Sequence, residues 1–476
     1  MNAANQSLLF DDLGPRRVQA DFSGGHLSSD GGSLLLRQID QGLGMSRHLA
    51  GCFLDRRHQD YVEHELPSLI AQRLHGLALG YEDLNDHNLL RLDPLLAVCA
   101  QKLDPLGLNR MDPRDKGKAL ASPSTLNRLE LGNHKESRCH KISYCPQRIE
   151  ETLLRIGVRC LPRDLKEVIL DLDAMGHRLH GQQEGRFFHA YYGDYCYLPL
   201  YIFAGNVPLW AQLRTSDRGA ADGVVPALTK IVSALRNRFP KLRIIIRGDS
   251  GFCQPELMDW CEDNQVYYCL GLQRNQRLEA LLIPAMVSAR MRRCLSGAVP
   301  IRVFTEFNYA TLKTWRCPRR VIGKAEITAE GENPRFVASN LPAEGFDKDQ
   351  RERFQPANLY ENEYCARGQM ENVLKQQVLD LEADRMSTHY MGSNQLRLWL
   401  STFAYLLMER LRALTLQGTE LANATVGTIR LRLFKVAAIV EVSVRRVYVR
   451  LASSYPMRGL FIQCLNRLKA VSWQSG

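Results

Sequence analysis

Apolar and polar positions along this chain follow two periods, and the switch between them divides it. Up to about residue 163 the pattern is helical and polar, with frequent breaks. Leu66, Leu69, Ile70, Leu74 and Leu77 recur at helical spacing and predict an amphipathic helix over Leu66–Leu79. Leu89–Leu103 predicts a second, with Pro94 near the start of its regular part. Ser33–Ile39 begins another behind the glycine-bracketed Ser28-Ser29-Asp30. Ser122-Pro123-Ser124-Thr125, ahead of Leu126, Leu129 and Leu131, reads as a capped short helix carrying Asn127 and Arg128 outward. That helix suits reading DNA bases and packing in an all-α domain equally well.

From Asp164 the period becomes that of strands. Val168–Asp173 is the first, followed by Arg186–Tyr192, Tyr197–Ala204 and Val207–Leu213, with turns at Gly193-Asp194 and Gly205-Asn206. Asp222 caps a helix to about Phe239, in which Val224, Leu228, Ile231, Val232 and Leu235 keep helical spacing. Leu242–Ile246 is a buried strand ending in Arg247–Phe252; a helix around Pro255–Asn264 and a strand Val266–Leu270 follow. A meander followed by helix, strand, helix, strand predicts an α/β fold with a ribonuclease-H-like core, a mixed sheet with flanking helices. Gln276 to about Pro356 breaks the order with strand-like Ile301–Phe307, Ala310–Trp315, Arg319–Ile327 and Arg335–Ser339, and is read as a β-rich insertion. Tyr364–Arg385 predicts one helix, through Met370, Val373, Leu374, Val378 and Leu381. Leu396–Leu416 is a more apolar, buried one. Near the end, Ile429, Leu431 and Leu433 alternate with Arg430 and Arg432, and Val440, Val442 and Val444 with Glu441, Ser443 and Arg445.

Composition narrows the class. A chain of 476 residues exceeds one ordinary core, so two or three domains are expected. Hydrophobic content of 45% and charged content of 24% are those of a globular protein. No run reaches membrane-spanning length and Met1–Ala20 lacks a signal-peptide apolar stretch, which predicts a cytoplasmic protein. The 13 scattered cysteines form no C-x-x-C and no zinc spacing, as expected of reduced thiols. A net charge of +11 and a pI near 9.0 point to a polyanionic partner, nucleic acid first. From Ala424 onward Arg430, Arg432, Lys435, Arg445, Arg446, Arg450, Arg458, Arg467 and Lys469 face Glu441 as the only acid. Such a concentration reads as a phosphate-tracking surface, with a solvated basic face as the plain alternative.

The chemistry rests on acids at strand ends. Two divalent ions about 4 Å apart activate a water or hydroxyl and stabilise the leaving oxygen of a phosphodiester. Magnesium takes a few hard carboxylate ligands and keeps waters. Asp173 and Asp249 end expected buried strands, and Glu371 lies in the first turns of a helix, long enough to reach the same ions. Asp171 shares the strand face of Asp173, so either can be the ligand; Asp173 is preferred as nearer the tip. Arg367, Glu371 and Lys375 step by four onto one helical face, with Arg385 further along: an exposed ion-pair ladder, or a metal ligand flanked by phosphate-gripping cations.

Tyr364-Cys-Ala-Arg367-Gly-Gln-Met-Glu371 resembles the Y-x-x-R-x-x-x-E core of the YREK motif in DDE transposases of bacterial insertion sequences. Asp171-Leu-Asp-Ala174 and Arg247-Gly-Asp-Ser-Gly-Phe252 look like that superfamily's two aspartate segments. Glu371-Asn-Val-Leu-Lys375, Asp384-Arg385 and Asn394 are similar to the group with a β-strand insertion before the Glu. The pattern's Lys falls where this chain has Val378, so Lys375 would substitute. The resemblance covers roughly Leu165–Leu416. It implies cutting of transposon inverted-repeat ends and joining of the freed 3′-hydroxyl to target DNA, dependent on two Mg²⁺ ions with Mn²⁺ able to replace them. Asp173, Asp249 and Glu371 would hold the metals. Tyr364, Arg367, Lys375 and Arg385, with Arg445 and Arg446 of the basic end, would contact DNA. Trp210 and Trp315 are candidates for stacking on a flipped base. The expected organisation is a mostly helical DNA-binding domain over 1–163, the core over 164–275, the insertion over 276–356, the core completed over 357–416, and a basic DNA-binding or dimerisation segment over 417–476. A homodimer on DNA, without a membrane, in the bacterial nucleoid is the implied setting. A structure-selective nuclease of the same fold and a non-catalytic DNA-binding protein are the competing readings.

Overall fold

The computed structural model describes residues 7–135, 137–347 and 350–473. The first six residues of the N-terminal segment, Glu136, Lys348 and Asp349 of the expected insertion, and the last three of the basic end lie outside them. Two compact units are present. One is Glu150–Val378 with Asp384–Leu398; the other is Met1–Ile149, Leu379–Ala383 and Trp399–Gly476.

The first unit is built on a large mixed sheet. Its strands are β1 (Glu167–Ala174), β2 (Leu200–Ala204), β3 (Val207–Gln212), β4 (Arg243–Gly248), β5 (Tyr267–Leu272), β6 (Ile301–Tyr309), β7 (Arg319–Thr328) and β8 (Arg335–Ser339). They lie in the order β3-β2-β1-β4-β5-β8-β7-β6, with the short Gly331–Glu332 on β7. β1, β4 and β5 run parallel, while β2 and β3 on one side and β8, β7 and β6 on the other are antiparallel. Central parallel strands are covered on both faces, so they read as nearly continuous apolar runs. Ile244, Ile245 and Ile246 of β4 and Val168, Leu170 and Leu172 of β1 are all buried. Helix α1 (Val224–Arg238) buries Val224, Leu228, Ile231, Val232 and Leu235, the face expected from their spacing. It is preceded by Gly223 in a left-handed conformation rather than capped by Asp222, whose carboxylate lies 3.5 Å from Arg218 instead.

Several expected elements differ. Arg186–Tyr192 does not join the main sheet. Phe187–His189 pairs with Asp194–Tyr197 in a separate three-stranded sheet completed by His177–Arg178. After helix α2 (Pro255–Asp263), Gln276–Ser296 forms a 21-residue helix, α3, at the start of the stretch read as a β-rich insertion. Ala310–Trp315 is not a strand; β6 and β7 pair directly and continue the main sheet. Tyr364–Arg385 is not one helix. A π-helical turn over Leu359–Tyr364 and a 3-10 turn over Cys365–Arg367 lead into α4 (Gly368–Leu381), and Glu382 then takes a positive φ of 49° that ends it.

In the second unit, Leu66–Leu79 is the helix expected, buried along most of its length. The expected helix over Leu89–Leu103 is two short ones, His87–Leu90 and Pro94–Cys99. Asp93 caps the second by accepting from the Leu95 and Leu96 amides, both at 2.8 Å. Pro123–Glu130 is helical and buries Leu126 and Leu129, leaving Arg128 exposed. Ile429–Leu433 is helical rather than extended, while Ala438–Val442 and Val447–Leu451 form an antiparallel hairpin. Among the described residues no helix is long and apolar enough to cross a membrane.

Candidate active site

The parallel pair β1–β4 sets the site. Arg247 lies opposite Asp171 in its register. Side chains two residues apart share a strand face, so Asp173 and Asp249 come level at the C-terminal edge of the two strands. The two acids of β1 then part company. Asp171 is buried, and the Arg247 guanidinium donates to both its oxygens, Nε to Oδ1 at 2.5 Å and Nη2 to Oδ2 at 2.8 Å. Arg247 Nη1 also donates to the Glu363 carbonyl at 2.5 Å. One guanidinium therefore ties β1, β4 and the segment leading into α4.

Asp173 faces an open cleft of about 550 Å³ that Asp249, Glu371, Arg367 and Lys375 also line. Backbone amides hold the two aspartates: Ala174 N–H donates to Asp173 Oδ1 and Gly251 N–H to Asp249 Oδ1, each at 2.8 Å. Burial pushes the Asp173 carboxyl up to about 6. Arg367 and the Ala174 amide pull it down, and the charges of Asp249 and Glu371 add to the rise. Glu371 stands in the first turn of α4, half exposed, with its Oε1 3.4 Å from Arg367 Nη2. An acid in the first turn of a helix is favoured by the helix dipole.

The raised Asp173 carries a stability consequence. Below the ordinary value of 3.8 folded and unfolded chains both hold the proton; above about 6 both have lost it, and the folded state bears the full cost. Asp173→Asn is therefore expected to stabilise the metal-free protein near pH 8 by about 1–3 kcal/mol, a gain that shrinks as pH falls toward about 4. Denaturant titration at the two pH values checks it; equal or lower stability of the variant near pH 8 contradicts it.

The remaining expected site residues are dispersed. Tyr364 packs behind the cleft: its ring lies 5.5 Å from Tyr360, and its hydroxyl sits 2.5 Å from where a Cβ on Gly271 would stand. That Cβ would also come 3.0 Å from the Ser250 amide nitrogen, so only glycine lets β5 close against both Tyr364 and the turn after Asp249. Arg385 is exposed in the loop beyond α4 and does not line the cleft. Arg445 and Arg446 belong to the other unit, exposed at the turn of the Ala438–Leu451 hairpin, where Arg446 Nη1 donates to the Tyr448 hydroxyl at 2.9 Å. Trp210 is buried under Lys230 and offers no free face for a base, while Trp315 is partly exposed, its ring at 89° to Tyr309 with Arg319 over it, and does not line the cleft. Among the described residues, no group of three or more His, Cys, Asp or Glu side chains is drawn together tightly enough to hold a metal ion.

Arg218, His189, Tyr191 and Tyr192 line the same cleft, yet no motif in the sequence singles them out; Arg247 stands in the second aspartate segment without a role read for it, and it partners Asp171. For Arg247 a signal existed: a cation two residues before the acid of a buried strand needs a buried counter-charge.

The chain belongs to the DDE transposases. Residues 10–473 match the family model described as transposase DDE domain group 1, so the match spans nearly the whole chain. Comparison with curated proteins finds no match. The chain is thus a DNA transposase, from a family that acts on DNA and generally uses divalent metal ions.

Proposed function

We propose that this chain is an insertion-sequence transposase of the YREK group that cuts inverted-repeat ends and joins the freed 3′-hydroxyl to target DNA. The observation that carries the proposal is the convergence of Asp173, Asp249 and Glu371 on one cleft, the aspartates from adjacent parallel strands and the glutamate from a helix. The order β3-β2-β1-β4-β5, antiparallel on one side and parallel on the other, supports a ribonuclease-H-like core over 164–275, completed over 357–416. In this reading α3 with β6, β7 and β8 is the insertion between the second aspartate and the glutamate, about 276–356.

The residues fit hard divalent cations in kind, three carboxylates with the charge of Asp173 disfavoured by burial and, to a smaller extent, by Asp249 and Glu371, although they form an open rather than a closed ligand set. Mg²⁺ as a pair, with Mn²⁺ able to replace it, would supply nucleophile activation and leaving-oxygen stabilisation when bound. Asp173, Asp249 and Glu371 would hold these ions. The Arg367–Glu371 contact is long and partly exposed, worth little, so Glu371 is free to turn into the cleft and Arg367 to engage a phosphate. Lys375, one turn further, would grip a second phosphate, and Arg385 would act outside the cleft.

DNA contacts beyond the acids fall to the other unit. Arg128 and Lys141 open onto one cavity, whose other cations Arg57, Arg91 and Arg110 are paired with Asp55, Asp115 and Glu63; Arg128 and Lys141 support DNA binding by 1–163. The exposed Arg445 and Arg446 support the same for 417–476, along with a role in a homodimer that holds two DNA ends. Arg445→Ala with Arg446→Ala is expected to lower the slope of log affinity against log salt by about 2. An unchanged slope removes the hairpin from the interface. The proposal as a whole is tested by incubating the protein with paired inverted-repeat ends and a target plasmid. Joined product supports a transposase; cleavage without joining supports a nuclease.

A further inference from the structure

We infer that the hairpin from Phe187 to Tyr197 is a stacking platform for an unpaired DNA base next to the phosphate engaged at the acidic cleft. The inference rests on the reading of that cleft given above. The hairpin exposes five aromatic rings within nine residues: Phe187, Phe188, Tyr191, Tyr192 and Tyr195 are 38–85% exposed, Tyr191 the most. Exposed apolar side chains scattered singly are ordinary, but a contiguous cluster marks a contact surface. The main sheet does not call for this one, because the strands of the hairpin belong to a separate small sheet, tied to the chain beyond β3 by a bridge from Tyr197 to Thr215.

Its position says what it contacts. The Tyr192 hydroxyl donates to the Ala174 carbonyl at 3.4 Å, next to Asp173 in the chain, and its ring lies on Gly176, where an added Cβ would come 2.8 Å from the ring carbons. Tyr192 is therefore pinned beside the acids. The Tyr191 ring stands at 87° to it with centroids 5.1 Å apart, presenting an open face above the cleft. The same cleft is also lined by Arg218, Arg367 and Lys375. Cations that follow a phosphate backbone beside rings that take base faces are what single-stranded nucleic acid requires, and stacking is tolerant of sequence because every base has a π-face. A protein partner would favour a flat apolar surface. Here the rings stand on edge to one another, Phe188 and Tyr195 at 74°; Arg186 lies over the Tyr195 ring, and Tyr191, 85% exposed, keeps its own face open. A base can lie on Tyr191 only when it has left its own stack, so the platform selects unpaired nucleotides.

The test uses the full chain without divalent metal and a duplex ending in a short unpaired overhang, with 2-aminopurine placed in turn at each overhang position. Wild-type protein should quench the probe at one position. Tyr191→Ala should abolish that quenching and weaken binding of the overhang duplex about tenfold, with blunt duplex affected less than about twofold. Tyr191→Trp should keep both, because a larger ring still stacks. Tyr191 is largely exposed, so its replacement leaves the fold intact. Equal overhang affinity and quenching in Tyr191→Ala, while Glu371→Gln no longer cleaves, overturns the platform and leaves the cleft reading standing. Cleavage retained by Glu371→Gln overturns the cleft reading by itself.

Discussion

Arg247→Ala is expected to cost about 3–5 kcal/mol of stability, because it leaves the Asp171 carboxylate buried without its counter-charge. Chemical denaturation of the purified chain reads this directly. The pair is a positioning device more than a source of net stability, since a buried ion pair replaced by apolar residues of similar volume often costs nothing. Asp171→Leu combined with Arg247→Met should therefore recover most of the lost stability. It should not recover cleavage, because the double variant still lacks the donor to the Glu363 carbonyl that fixes the approach to α4. A double variant that folds and cuts as wild type does would show that Arg247 serves the core alone.

Glu371→Gln is expected to reduce DNA cleavage by at least about 100-fold, with end binding largely kept; loss of groups that merely orient metal ligands already costs about 10–100-fold. The substitution keeps the side chain's size and removes its charge. Glu371 is half exposed and its contact to Arg367 is weak, so folding should be unaffected. Cleavage and gel-shift assays on the same preparation separate the two effects. Normal cutting by the variant would remove Glu371 from the chemistry.

How far the fold was legible in the sequence depended on whether period alone decided the matter. β1 and β4 were legible because a continuous apolar run that stops at an acid fits a buried strand ending at a site and little else. Ile429–Leu433 misled because Ile-Arg-Leu-Arg-Leu fits period two, while Ile429 and Leu433 are also four apart. The helix buries those two and leaves Leu431 71% exposed. Helix α3 was hidden by Pro284 within it and by apolar residues on its outer face, including Val287, Met291 and Leu295, which blur the stripe of Leu278, Leu282, Ala285 and Ala289. Arg186–Tyr192 shows a third limit: alternation identifies a strand but not the sheet it joins.

The candidate site divides the same way. Asp173, Asp249, Arg367, Glu371 and Lys375 were nameable from spacing and motif, and they do share a cleft. The preference for Asp173 over Asp171 rests in the sequence only on its place nearer the strand tip, because both lie on one strand face; the cross-strand Arg247, which holds Asp171, adds the physical difference. Tyr191 and Tyr192 were invisible for a similar reason. A turn of Tyr-Tyr-Gly gains meaning only when the fold hangs it over the acids.

Whether Asp173, Asp249 and Glu371 are metal ligands is tested most directly by Mn²⁺ titration followed by electron paramagnetic resonance. Each of Asp173→Asn, Asp249→Asn and Glu371→Gln should weaken Mn²⁺ binding by about tenfold or more relative to wild type. Unchanged Mn²⁺ affinity in all three variants would contradict the assignment.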